Sequence, residues 1–141
     1  MSSQHLSVRL SPETLSRLDS ESHRTGQTRS QVAKTLLEEG LRMEHHPGIT
    51  FRSGPAGRRA ALFNGPDVWE VIRTIGQLSE IGDALVQRTA VVASIQEDAV
   101  RVALRYYAEF EHEIDRWIAQ VEEEEAAAEA RYERERQLLQ R

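Results

Sequence analysis

Few side chains of this sequence have the types and spacing that chemistry requires. His45 and His46 are adjacent, so on a helix they face different ways and make a weak metal pair. They also sit at an expected helix end, where a cation is favourable without any ligand. Glu109 and His112 have the Glu-x-x-His spacing of di-iron bundles, with Glu113 beside them. That site needs the motif twice, and it occurs once. The chain has no cysteine, which removes disulfides and thiolate metal sites. It also lacks a Gly-rich phosphate loop and a Ser/His/Asp set. The expectation is therefore a protein that is not an enzyme, with no catalytic residue, metal or cofactor.

A different arrangement stands at the front of the chain. "HLSVRL", residues 5–10, alternates strictly. As a strand it turns Leu6, Val8 and Leu10 to one side and His5, Ser7 and Arg9 to the other. A lone strand leaves its backbone N–H and C=O groups without partners, so it needs a second strand.

The elements behind it are helical. Ser11, Pro12 and Glu13 form a helix start: a capping hydroxyl, a proline suited to the first position, and an acid at the positive dipole end. Gly26 is the expected stop. Thr28 and Gln31 have capping-box spacing and open a second helix. Val32, Ala33, Leu36, Leu37 and Leu41 line one of its faces, and Pro47 and Gly48 end it. Strand, helix, helix over residues 1–44 is too small to bury a core alone. Two copies pairing their strands antiparallel across a two-fold axis would supply one. The rival is pairing within the chain, with "ITFRSG" or "RRAALF".

This order of features resembles the ribbon-helix-helix fold of CopG, Arc and MetJ type repressors. The match lies in "LSVRLSPETLSRLDSESHRTGQTRSQVAKTLLEEGL", roughly a third of the chain. The resemblance implies a homodimer whose β-ribbon enters the major groove of double-stranded DNA, where base edges differ. It implies base contacts from His5, Ser7 and Arg9, with Arg9 suited to a guanine edge. It also implies a phosphate clamp at the start of the second helix. There Thr28, Arg29 and Ser30 offer free amides and the helix dipole, and Arg24 adds charge nearby. Capping for Thr28, and a solvated surface for the two arginines, are the plainer readings.

Residues 47–66 read as a β-hairpin turning at "SGPAG". Arg52, Arg58 and Arg59 make it locally basic: a nucleic-acid contact, a docking surface for an acidic protein, or a solvated hairpin. Three helices are then expected: "DVWEVIRTIGQL", "GDALVQRTAVVA" and a long one from Ser94, with Glu97 at capping-box spacing. In the last, Val100, Ala103, Tyr107, Phe110, Ile114, Trp117 and Val121 keep an alternating three-four spacing. The stretch "HPGITFRSGPAGRRAAL…GPDVWEVI" with "ALRYYA…EID" resembles a small helical domain of VapB-type antitoxins. That resemblance implies a partner, a PIN-type nuclease toxin blocked by residues 45–121.

The net charge of −5 is unevenly spread. In residues 1–44 six Lys/Arg balance six acids, and residues 45–108 carry seven Arg against six acids. Residues 109–141 carry five Arg against eleven acids. An acidic average thus does not exclude DNA binding by the first two segments. Residues 122–141 have helix propensity without an apolar face, and are expected to be a solvated helix or a tail that orders on a partner. Toward a nuclease, Arg131 and Arg134 could approach its carboxylates, and Trp117 could extend the docking face. No apolar run is long enough to cross a membrane, and no signal peptide is evident; a cytoplasmic protein is expected.

The expected fold is mostly α: ribbon-helix-helix (1–44), hairpin plus three-helix domain ending in a long helix (45–121), acidic tail (122–141). The expected function is a bacterial dimeric repressor, the antitoxin of a type II toxin–antitoxin pair. The alternatives are a free-standing regulator or a DNA-coating partition or assembly protein.

Overall fold

The computed structural model describes residues 2–141. The chain is mostly helical, with one antiparallel hairpin. It divides into two units, Met1–Arg42 and Met43–Arg141.

The first unit holds α1 (Pro12–Thr25) and most of α2 (Arg29–His45). The Thr14 amide donates to Ser11 Oγ at 3.2 Å, which is the expected cap. Gly26 stops α1 at φ +70°, a left-handed conformation that glycine adopts without a Cβ clash. Both bonds of the capping box form: Thr28 N to Gln31 Oε1 at 2.9 Å, and Gln31 N to Thr28 Oγ1 at 3.1 Å. Residues 5–10 are not in a strand among the described residues, and the hairpin is a two-stranded sheet.

The second unit opens with β1 (Ile49–Gly54) and β2 (Gly57–Leu62), paired from Ile49–Leu62 to Gly54–Gly57. Pro55 and Ala56 make the turn, and Gly57 follows at φ +122°, where a side chain would be strained. Four helices come next instead of the expected three: α3 (Val68–Gly76), α4 (Gly82–Ala93), α5 (Glu97–Glu109) and α6 (Glu111–Leu139). Alternate residues of the hairpin face inward, so Ile49, Ala60 and Leu62 join Val68, Val71, Ile72, Ala103, Tyr106 and Ile114 in one core. Each large side chain so buried contributes about 1.5–3 kcal/mol. A smaller cluster, Val86, Ala90 and Val100, seats α4 on α5.

Two boundaries differ from expectation. Ser94 does not cap α5; it closes α4 in the left-handed region at φ +56°, and Gln96 takes the N-cap position. The long helix expected from Ser94 is broken at Phe110 (φ −118°, ψ +38°). Phe110 N donates back to Tyr106 O at 3.0 Å, and Phe110 O accepts from Ile114 N at 3.1 Å, so both helices stay hydrogen-bonded across the break. The ring of Phe110 packs 4.6 Å from Tyr106 and 5.8 Å from His46. The three-four stripe therefore does not run through as one face. Tyr106, absent from that stripe, is fully buried, whereas Tyr107 sits at the boundary and donates to Asp115 Oδ1 at 2.8 Å. The expected tail is helical: α6 continues to Leu139, and every residue from Glu122 onward is exposed.

Candidate nucleic-acid interface

Residues 2–10 lead into the capped start of α1, and His5, Ser7 and Arg9 are all exposed. The apolar members of the same stretch are exposed too: Leu6 at 69%, Val8 at 66% and Leu10 at 42%. On α2, Leu36, Leu37 and Leu41 are 46–55% exposed. Six aliphatic side chains in so short a unit are thus left facing water. At about 25 cal/mol per Å² of apolar surface, covering them would be strongly favourable. Arg9 makes no ion pair among the described residues.

The four residues expected at a phosphate are close in sequence but differently engaged. Thr28 is held in its capping box, and Ser30 is exposed in the first turn of α2. Arg24 is paired with Glu21, Nη2 to Oε2 at 2.6 Å. That bond and the neighbouring charge push the Arg24 pKa above its ordinary value, so it stays cationic. Arg29 is bidentate to Asp19, Nε to Oδ1 at 2.8 Å and Nη2 to Oδ2 at 2.9 Å, which ties α1 to α2. A phosphate would have to compete with a carboxylate for either arginine.

In the second unit the basic hairpin is largely occupied internally. Arg59 Nε donates to Asp67 Oδ2, and Trp69 Nε1 donates to the same oxygen at 3.1 Å. Arg52 Nη2 donates to the carbonyls of Leu62, at 2.8 Å, and Gly65. Its other terminal nitrogen lies 3.8 Å from Asp67 Oδ1. Asp67 is 5% exposed, and its own amide donates to Glu70 Oε2 at 2.8 Å. A buried carboxylate requires such partners, because an unpaired charge there is costly. Arg52 and Arg59 thus lock the hairpin to the start of α3. Arg58 remains on the surface and donates to Ser53 Oγ at 2.8 Å. Trp117 is half-buried, while Arg131 and Arg134 are exposed on α6.

The histidine candidates separate. His46 is packed edge-on against Tyr106 and Phe110, with Nε2 at 2.6 Å from Glu109 Oε2. Glu109 therefore faces His46, and His112 is exposed on α6. No group of three or more potential metal ligands occurs among the described residues.

Sequence reasoning missed the Asp67 cluster and the His46–Tyr106–Phe110 stack. Asp67 reads as a plain helix cap in "GPDVW"; its partners lie on strands eight and fifteen residues earlier. Only the lack of any other acid near Arg52, Arg58 and Arg59 hinted at the pairing.

No helix among the described residues is long and apolar enough to cross a membrane. Comparison with known family models, curated proteins and solved structures finds no match for this chain.

Proposed function

We propose that the protein is a homodimeric, sequence-specific DNA-binding repressor whose first unit is one half of a ribbon-helix-helix. The observation that carries this reading is the exposed apolar side of residues 6–10, set directly before two well-capped helices with an apolar α2 face also open to water. A second copy would pair with the segment antiparallel and cover Leu6, Val8, Leu10, Leu36, Leu37 and Leu41 together. His5, Ser7 and Arg9 would then stand on the outer side of the ribbon, in reach of base edges in the major groove. Thr28 and Ser30, with Arg24 and Arg29, would set its register on phosphates.

The second unit is the interaction module in this reading. Its resemblance to VapB-type antitoxins supports a nuclease toxin as its partner, with the repressor acting on its own operon. A regulator without a toxin would use the same first unit.

Replacing Leu6, Val8 and Leu10 together by Ser tests the dimer. Sedimentation of the full chain should show loss of the ribbon-mediated association, and double-stranded DNA binding should fall with it. A triple variant that binds DNA as wild type does would overturn the ribbon.

A further inference from the structure

The far end of α6 is exposed from Glu122 onward, and Arg136 pairs with Glu133 within the helix at 3.7 Å. Glu125 is bonded to Arg73 on α3, at 3.0 and 3.1 Å, and that arginine lies over the Trp69 ring at 5.0 Å. From Ala126 to Leu139 the helix continues, exposed, for about 21 Å at ~1.5 Å per residue. An isolated helix of that length is marginal in water, so this one depends on its anchored start and on its alanines.

Charge along this helix is segregated. Residues 122–130 hold five Glu and no base; residues 131–141 hold four Arg and two Glu. Three large apolar side chains stand in water in the basic half: Tyr132 at 63%, Leu138 at 50% and Leu139 at 86% exposure. Half-buried Trp117, Ile118 and Val121 lie at the other end, just before the glutamates.

We propose that this stretch of α6 pairs antiparallel with the same stretch of a second copy. Antiparallel pairing sets each acidic half beside the other copy's basic half. It also brings Leu138 and Leu139 toward the partner's Val121. Parallel pairing would instead set five glutamates against five and leave the leucines beside one another at the exposed tip. The helix dipoles favour the antiparallel sense as well. Exposed ion pairs are individually weak, about 0.2–1 kcal/mol, so the association is salt-sensitive and depends on several pairs acting with the apolar ends. The pairing does not rest on the DNA-binding reading. If both hold, each ribbon dimer presents two such helices, and dimers can be joined into larger assemblies on DNA.

The absence of native cysteine makes the test direct. Two full-length single-cysteine variants on the face of Val121 and Leu139, Glu124→Cys and Glu135→Cys, are oxidised separately and as a mixture at low salt. The expected product is the mixed 124–135 disulfide, formed several-fold more than either homodisulfide and reduced by high salt. A dominant 124–124 product, or no cross-link beyond that of an equivalent exposed position, would overturn the proposal. A second pair of variants guards against fortuitous cross-linking. Arg131→Glu, Arg134→Glu and Arg136→Glu combined should abolish the mixed product in full-length protein whose helical content is unchanged. Persistence of the cross-link in that variant would contradict charge-directed pairing. DNA binding measured in the same samples reports separately on the first unit.

Discussion

Arg9 is where the proposed reading of bases concentrates. Its guanidinium is exposed and free of ion pairs among the described residues, unlike Arg24 and Arg29. Arg9→Ala should lower discrimination between a preferred site and random DNA by about 1–3 kcal/mol, with the dimer intact. Fluorescence anisotropy on the two DNAs measures this; equal losses on both would reduce Arg9 to a phosphate contact. Tyr107 gives a second residue-scale prediction. Its hydrogen bond to Asp115, then burial and nearby carboxylates, push its pKa up to about 12. The protonated phenol is the form favoured by the fold, so its contribution is complete only below the ordinary phenol pKa of about 10 and declines from there. It is lost as pH rises through about 12. Ultraviolet titration should show a tyrosine step there that Tyr107→Phe removes; the same step in the variant would assign it elsewhere. The alternation at residues 5–10 is a local sequence pattern; in the structure the segment is not a strand, and its polar and apolar members are both exposed. Asp67 was not legible in the sequence, since a carboxylate's role as a buried counter-ion depends on residues that the hairpin brings to it.

At the scale of elements, the hairpin and α3 are held by that carboxylate. Asp67→Ala should leave Arg52 and Arg59 facing a buried gap and cost about 3 kcal/mol. Urea unfolding of the full chain would register the change, and a loss under about 0.5 kcal/mol would mean that the cluster is solvent-relaxed. The caps of α1 and α2, the Gly26 stop and the hairpin turn could be read directly, because each is set by two to four adjacent residues. The break at Phe110 could not. No glycine or proline marks it, and the run from Glu97 has good helix propensity throughout. Packing of Phe110 on Tyr106 and His46 outweighs that propensity, and His46 is contributed by a segment 64 residues upstream. Tyr106 rather than Tyr107 is buried, because its ring packs against His46, Phe51 and Phe110. Ser94 misled for a related reason, since a serine before a helix can also end the helix before it.

For the whole molecule, the first unit has little core of its own, whereas the second buries an aromatic and aliphatic centre. The acidic surplus lies in residues 109–141, at the end of the second unit, while residues 1–44 carry as many bases as acids. The central claim is that two copies read DNA through residues 5–9. Selection of binding sites by the full-length protein from a random double-stranded DNA library tests it most directly, with Arg9→Ala run in parallel. The account predicts enrichment of a two-fold symmetric site by the wild type and a relaxed or lost motif with the variant. No enrichment by the wild type, or the same motif from both proteins, would contradict it.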